Sequence, residues 1–205
     1  MNVVQLISKK LTLSIENNGI ASLVMSGGSS PLKIFEELSN IDIHWAKVQV
    51  TLVDDRLVND NNIYSNQKLI YDYFLLNKAR LAQFIPLTKK IITKNIIRTP
   101  FDITLLGMGE DGHFASLFPD MINDFNAFNI KAKPQVLKIS SNGDPFLPRI
   151  TMNLSLILKS EFIILLVKGL KKKKILDISL YDQSFPIHYL LKNRVSNFYI
   201  EKINN

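Results

Sequence analysis

The residue types that could do chemistry are concentrated between Phe101 and Asp120, where the sequence reads FDITLLGMGEDGHFASLFPD. An apolar run of strand length, residues 101–106, leads into three closely spaced glycines and then His113. Ligands of open α/β sheets bind at the carboxyl ends of the strands, and glycine lets the backbone approach a ligand closely. A histidine titrates near neutral pH and can exchange protons there. We predict that His113 is a general base at the end of a buried strand.

A second glycine turn, SGGSSP at residues 26–31, follows a short apolar strand over residues 20–25 and precedes a helix. Backbone N–H groups, the helix dipole and two hydroxyl groups converge at such a turn, which suits a phosphate. Ser30 is predicted to be the N-cap, with Pro31 as the first helical residue. The turn lacks the lysine of a Walker loop, so a nucleoside triphosphate is not expected. A capped turn without a ligand is the alternative.

Three consecutive charges, Asp54, Asp55 and Arg56, follow the alternating strand predicted over residues 47–53. An arginine at a strand end can hold an oxyanion, and a carboxylate beside it can orient a group or exchange a proton. A solvated loop is the alternative. We predict that Arg56 and Asp54 belong to the same site as His113.

Other chemistries are disfavoured by the spacing of the motifs. Residues 107–112 match the G-x-G-x-x-G pattern of dinucleotide-binding loops, but Pro119 stops the segment that should continue as a helix. The Glu110–Asp111 pair would also repel a pyrophosphate. No G-x-S-x-G elbow for a nucleophilic serine occurs in the chain. Neither a dinucleotide cofactor nor a serine nucleophile is expected.

Metal ligands are sparse as well. The three histidines, His44, His113 and His188, form no i,i+4 pair, and the chain has no cysteine. His44 and His188 are predicted to have no role in the site. After these exclusions, the candidate groups are a histidine base, an arginine, carboxylates and phosphate-binding turns. This set needs no cofactor. It suits proton transfer or activation of water on a small phosphorylated sugar.

The composition indicates one globular domain over residues 1–205, with 46% hydrophobic and 21% charged residues. No secretory signal is evident, and the longest clean apolar run, residues 162–167, is too short to cross a bilayer. A cytoplasmic protein without a membrane partner is expected. The net charge of +7 raises the question of nucleic acid. The lysine run at residues 171–174 contains no aromatic residue to stack bases, so we expect no nucleic-acid partner and attraction of a small anion instead.

Hydrophobic periodicity predicts an α/β fold, a single Rossmann-like domain whose mostly parallel sheet has helices on both faces. No structure is predicted for residues 77–100. Strands are predicted over residues 20–25, 47–53, 101–106, 135–139, 162–167 and 198–200, and helices over 3–17, from 31, from 65, 150–158, 171–180 and 186–191.

Several motifs together carry a family resemblance. The segments SGGSSP, VDDRLV, SNQ, FDITLLGMGEDGHFASLFP and RIT, and the G-x-x-K at residues 169–172, occur in the order typical of 6-phosphogluconolactonases. The chain resembles that family over roughly residues 20–192. Glucosamine-6-phosphate deaminases share the fold and a Gly-x-Gly-x-Asp-Gly-His block, but they continue it with Asn-Glu-Pro. Here residues 115–119 read ASLFP, the lactonase continuation.

The resemblance implies hydrolysis of 6-phosphoglucono-δ-lactone to 6-phosphogluconate in the pentose phosphate pathway, without metal or cofactor. His113 would activate water, with Asp54 or Asp111 orienting its imidazole, and Arg56 would stabilise the developing negative charge. A monomer or weak dimer with a small phosphorylated sugar lactone as its partner is expected. An isomerase or deaminase of the same fold and a non-catalytic sugar-phosphate-binding relative are the alternatives. The phosphate and sugar would be held by Gly27, Gly28, Ser29, Ser30, Gly109, Arg149 and Lys172.

Five positions depart from the family pattern. Ser30 replaces a usual threonine, Asp55 a usual glutamate, and Leu57 and Asn59 a usual tryptophan and proline. The largest departure is Phe114, because a threonine normally follows the histidine. We expect this ring to narrow the site or to change its hydrogen bonding.

Overall fold

The computed structural model describes residues 2–193 and 197–203. The described part of the chain forms nine strands, β1 (Ala21–Met25), β2 (Val48–Leu52), β3 (Asp54–Arg56), β4 (Gln83–Phe84), β5 (Ile103–Gly107), β6 (Val136–Asn142), β7 (Leu147–Met152), β8 (Ile163–Lys168) and β9 (Phe198–Ile203). Its α-helices are α1 (Val3–Asn18), α2 (Leu32–Ser39), α3 (Asn66–Tyr73), α4 (Phe125–Phe128), α5 (Leu154–Ile157), α6 (Leu170–Ser179) and α7 (Pro186–Lys192).

The central sheet has six parallel strands in the order β4–β2–β1–β5–β8–β9. Leu23 of β1 is in register with Val50 of β2 on one side and with Ile103 of β5 on the other. From β1, strands β2 and β4 extend the sheet in one direction, whereas β5, β8 and β9 extend it in the other. The chain order therefore reverses between β1 and β5, which is where open α/β sheets form their ligand crevice.

Burial of the central strands explains why they read as apolar runs. Every residue of β1 is buried, and β8 is buried up to its last residue, as expected for strands covered on both faces. Helix α1 packs on β1, and α6 packs on β8. A capping box between Asn2 and Gln5 begins α1, and Gly19 ends it in the left-handed conformation with φ 76°. The predicted α/β fold, a mostly parallel sheet flanked by helices, is confirmed.

A second, antiparallel sheet joins β3, β7 and β6 in that order, and the sequence did not predict it. The helix predicted over residues 150–158 is wrong. Ile150 and Thr151 instead pair with β3, in keeping with the preference of β-branched residues for strands. The helical part is only α5, because Asn153 caps it by accepting a hydrogen bond from the Leu156 N–H. This sheet carries Arg56 and Arg149 opposite each other.

Two smaller predictions also need correction. Helix α2 begins at Leu32, its N-cap is Pro31 and not Ser30, and no side chain caps it. Strand β4 lies in the segment for which no structure was predicted, because a two-residue strand has no periodicity to detect. The domain prediction over residues 1–205 includes residues 1, 194–196 and 204–205, which lie outside the described residues. Within the described part, the structure contains no helix with the length and apolar character that a bilayer crossing requires.

Candidate active site

A cavity of about 250 Å³ lies where β1 and β5 end, at the reversal point of the sheet. Both glycine turns, the second sheet and the start of α6 contribute to its walls. The structure brings the predicted site residues together here, with Asp111 placed beside the wall through its contact with His113. The predicted residues that line the cavity are Gly27, Gly28, Ser29, Ser30, Asp54, Arg56, Gly109, His113, Arg149 and Lys172, and Ser26, Asn66, Gly107, Met108 and Ala115 line it in addition.

A buried serine ties the two glycine turns together. The Ser26 Oγ accepts a hydrogen bond of 2.9 Å from the Gly107 N–H, and the Ser26 N–H donates to the Leu105 carbonyl. The turn after β1 is also packed closely, because a Cβ on Gly27 would lie 1.9 Å from the Asn66 Oδ1. The positions of both turns are therefore set by the pairing of β1 with β5.

His113 and Asp111 form a hydrogen-bonded pair at the cavity. The His113 Nδ1 lies 2.5 Å from the Asp111 Oδ1, and the His113 N–H donates to the same oxygen at 3.1 Å. Burial raises the pKa of Asp111, but the hydrogen bonds and charge of His113 outweigh it, so that this pKa lies below its ordinary value. Asp111 is thus a carboxylate at neutral pH and can only accept, which places the imidazole proton on Nδ1 and the lone pair on Nε2.

The imidazole is held by its surroundings. Its ring centroid lies 4.8 Å from that of Phe118, and the Gly109 N–H donates to the His113 carbonyl at 2.8 Å. A Cβ on Gly109 would lie 2.2 Å from the His113 Nδ1, so only glycine leaves room for the ring there. About a third of the His113 side chain is exposed, which leaves it open to a ligand.

Among the described residues, no hydrogen bond or salt bridge joins Asp54 to His113, although the sequence left both carboxylates open as its orienting group. Asp54 is buried, and its Oδ2 accepts a hydrogen bond of 2.6 Å from the Ser116 Oγ. Asn66 donates to the Asp54 carbonyl at 2.9 Å. Asp54 therefore connects β3 to the segment after His113, and Asp111 is the carboxylate that orients the imidazole.

The Phe114 ring does not narrow the site. It is fully buried, lies edge-on to Phe128 at 6.3 Å, and is not part of the cavity wall. The next residue, Ala115, turns the chain back to the cavity with a φ of 50°. The expected narrowing by Phe114 is wrong because this turn points the aromatic side chain into the core.

Three cations line the cavity, and none of them forms a salt bridge of 4 Å or less with a described carboxylate. Arg56 and Arg149 are directly opposite in the β3–β7 pairing, and Arg149 is only 3% exposed. The Arg149 Nε and Nη2 donate to the carbonyls of Asn142 and Pro145, and its guanidinium carbon lies 5.2 Å from the Phe118 ring centroid. Within residues 2–193 and 197–203, no salt bridge of 4 Å or less involves either arginine.

Lys172 is the third of these cations and reaches the cavity from the first turn of α6. Burial lowers the pKas of Lys172 and Arg149, and a neighbouring cation lowers each further, namely Lys168 and Arg56 respectively. Nearby carboxylates raise the same pKas, namely Glu110 and Asp111 that of Lys172, and Asp54 and Asp144 that of Arg149, but burial and the neighbouring cation outweigh them. Burial and repulsion between cations both favour the binding of an anion, because an anion offsets both. A dianion such as a phosphate monoester fits this cavity chemically.

Sequence reasoning missed Asn66 and Ser116 as members of the site. Asn66 stands in the SNQ motif directly after Ser65, which is the N-cap of α3, and this position looked like ordinary helix capping. Ser116 was judged only as a nucleophile, whereas it donates to a buried carboxylate. In the described residues, no cluster of three or more histidine, cysteine, aspartate or glutamate side chains is arranged to hold a metal ion.

Comparison with known proteins identifies the family. The family model for glucosamine-6-phosphate isomerases/6-phosphogluconolactonase matches residues 1–199. The chain belongs to this family. Its resemblance to 6-phosphogluconolactonases, inferred from the motifs, is confirmed, and so is the expectation that it is a member of an enzyme family.

Relatives within this family are similar over most of their length. A 6-phosphogluconolactonase of Caulobacter vibrioides is 32% identical over 193 residues, which cover 89% of this chain and 83% of the relative. One of Rhizobium meliloti is 32% identical over 204 residues, with 93% and 88% coverage. The crystal structure of a 6-phosphogluconolactonase from Shewanella baltica superposes with a TM-score of 0.85 at 30% identity, covering 99% of this chain and 91% of that one.

Replacing Asp111 by asparagine tests the pair directly. The amide can donate to Nδ1 and so favour the tautomer with its proton on Nε2, which cannot act as a base; we expect kcat to fall about 10- to 100-fold. Steady-state kinetics would measure this. Asp60→Asn, at an exposed residue outside the cavity, removes the same charge and should leave kcat unchanged. An unchanged kcat in Asp111→Asn would contradict a role of Asp111 in orienting His113.

Proposed function

We propose that the protein hydrolyses 6-phosphoglucono-δ-lactone to 6-phosphogluconate in the pentose phosphate pathway. The observation that carries this proposal is the combination, in one cavity, of a histidine oriented by a carboxylate with three cations that have no carboxylate partner among the described residues. The oriented histidine is suited to a proton-transfer step, and the three cations are suited to an anionic substrate. The names of the relatives supply the reaction that joins these two requirements.

In the proposed reaction, the His113 Nε2 takes a proton from water while the water oxygen bonds to the lactone carbonyl carbon. The carbonyl oxygen gains a negative charge, which Arg56 stabilises. The bond between that carbon and the ring oxygen then breaks, and the ring oxygen takes the proton from His113 to become a hydroxyl. The carboxylic acid that remains ionises in water. Positioned general-base catalysis contributes about 10²- to 10⁴-fold to such a step.

The phosphate end of the substrate is assigned to the turn after β1. Gly27, Gly28, Ser29 and Ser30 offer backbone N–H groups and hydroxyls at the start of α2, where an anion is favoured. Arg149 and Lys172 are assigned to the same phosphate. Gly109 is assigned to the part of the cavity wall beside His113. Arginine suits a phosphate because its fork of donors can bind two oxygens at once.

We further propose that the reaction requires no metal. We also propose that the protein is cytoplasmic and is a monomer or a weak dimer. A lactone is an activated ester, so a base and one cation suffice for its hydrolysis. The proposal expects activity to survive prolonged dialysis against a chelator, and sedimentation to give a mass near that of one chain. A loss of activity that added metal restores would overturn the metal-free part alone.

The proposal is tested by following freshly generated 6-phosphoglucono-δ-lactone with and without the protein. The appearance of 6-phosphogluconate is coupled to its dehydrogenase, and the spontaneous rate is subtracted. A rate proportional to protein concentration is expected. If the protein leaves the spontaneous rate unchanged, the proposed reaction is wrong for this chain.

The alternative function is the second reaction of the family, which acts on glucosamine 6-phosphate and can be tested with that substrate. Its relatives carry a glutamate shortly after the histidine, whereas residues 114–119 here contain no carboxylate. The expected result is no release of ammonia from glucosamine 6-phosphate. Binding of 6-phosphogluconate without turnover of either substrate would favour a non-catalytic relative.

A further inference from the structure

We infer that Asn66 is a positioning residue that fixes the guanidinium of Arg56 in the cavity without reducing its charge. The Asn66 Oδ1 accepts a hydrogen bond of 2.7 Å from the Arg56 Nη1. The same nitrogen donates more weakly to the Tyr64 carbonyl at 3.3 Å. Among the described residues, Asn66 is the side chain that holds Arg56, and it lines the cavity beside it. The inference rests on the proposed role of Arg56.

The Asn66 amide can adopt only one orientation. Its Nδ2 donates to the Asp54 carbonyl at 2.9 Å, and a carbonyl can only accept. Arginine can only donate, so the Oδ1 must face Arg56. The Asp54 carbonyl and the Arg56 guanidinium therefore determine the orientation of the amide, and their two hydrogen bonds hold the side chain at both ends.

The surroundings of Asn66 also fix its backbone and limit its movement. Its N–H donates to the Asp55 Oδ1 at 2.6 Å, and Asp55 accepts two more backbone N–H bonds, from Arg56 and Gln67. On the other side, Gly27 leaves no room for a Cβ. Asn66 is 3% exposed. A buried and fully bonded amide is a rigid support for a long, flexible side chain.

A neutral acceptor at this position has a specific electrostatic consequence. A carboxylate of the same shape would form an ion pair with Arg56 and cancel much of the field that the guanidinium exerts on a developing oxyanion. In the described part of the chain, Arg56 makes no salt bridge of 4 Å or less, so no carboxylate in direct contact offsets its charge. Asparagine therefore orients Arg56 and leaves its positive charge available to the substrate.

The test is a double-mutant cycle with Asn66→Asp and Arg56→Met. Asn66→Asp keeps the size of the side chain and is expected to lower kcat/KM about tenfold or more. In the Arg56→Met background, the same change should cost clearly less, because only the lost donor to the Asp54 carbonyl and the added charge then act, and the difference between the two backgrounds is the part that passes through Arg56. Equal losses in both backgrounds would overturn the inference and assign Asn66 an effect that is independent of Arg56. Asn61→Asp, at an exposed residue outside the cavity, adds the same charge and should leave kcat/KM unchanged.

A second measurement does not depend on catalysis. The order parameter of the Arg56 Nε–H bond, measured by ¹⁵N relaxation, is expected to fall in Asn66→Ala while the melting temperature shows that the chain is folded. An order parameter equal to that of the wild type would overturn the inference. If the wild type fails to hydrolyse the lactone, the proposed function fails, and this measurement still decides whether Asn66 positions Arg56.

Discussion

Replacing His113 by alanine is expected to lower kcat of lactone hydrolysis by about 10²- to 10⁴-fold, because the lone pair on Nε2 is the base that we propose to activate water. The loss should appear in kcat, since the phosphate contacts assigned to Arg149 and Lys172 do not involve the imidazole. Lactone hydrolysis after subtraction of the spontaneous rate measures kcat, and calorimetry with 6-phosphogluconate measures binding. Binding close to that of the wild type, together with the lost rate, is the expected pair of results.

Two further variants make the His113 result specific. His113→Gln fills more of the space beside Phe118 and should be as inactive as the alanine variant, since it offers no base. His44→Ala removes an exposed histidine outside the cavity and should keep full activity. A His113→Ala protein that retains wild-type kcat would contradict the proposed base, whatever its affinity for the product.

Replacing Arg149 by methionine is expected to lower kcat/KM about 10²- to 10³-fold, because the change removes the buried charge that we propose to pair with the substrate phosphate. Arg149 is 3% exposed, and its Nη1 makes no hydrogen bond with the described residues, so this nitrogen is free to reach a ligand. Most of the loss should appear in KM and in the affinity for 6-phosphogluconate. Methionine keeps the unbranched chain and so limits the change in packing.

Two controls separate charge from folding in the Arg149 variant. Lys138→Met lies exposed on the neighbouring strand β6, removes the same charge and should change kcat/KM little. The melting temperature of Arg149→Met checks the fold, since the carbonyls of Asn142 and Pro145 lose a donor. An Arg149→Met protein that melts normally and binds 6-phosphogluconate like the wild type would contradict the assignment.

The parts of the fold that the sequence predicted are those with a local cause. The four-residue spacing of Val3, Ile7, Leu11 and Ile15 marks the buried face of α1. The apolar run before Lys168 forms β8 because both of its faces are covered. The motif order placed both glycine turns, Arg56 and His113 at strand ends. Their roles in catalysis remain predictions until variants are measured.

The parts that the sequence did not predict depend on distant partners. Residues 147–152 form β7 by pairing with β6 on one side and, on the other, with β3, which lies nearly a hundred positions earlier, whereas local spacing favoured a helix from residue 150. The choice between Asp54 and Asp111 was also a question of tertiary structure, decided by Ser116 binding one of them. Phe114 was misjudged because the left-handed turn at Ala115 cannot be read from composition.

The hydrogen bond between the Ser26 Oγ and the Gly107 N–H fixes the distance between the two glycine turns of the cavity. The turn assigned to the phosphate follows β1 and the turn that carries His113 follows β5, so their separation depends on the spacing of adjacent strands, about 4.8 Å. Loops that shift could adapt to substrates of different length, whereas turns tied at the ends of paired strands cannot. If the phosphate and the lactone carbonyl bind as proposed, a sugar lactone with its phosphate one carbon nearer to the carbonyl is expected to reach only one of the two turns. On this proposal, the pairing of β1 with β5 selects the length of the sugar.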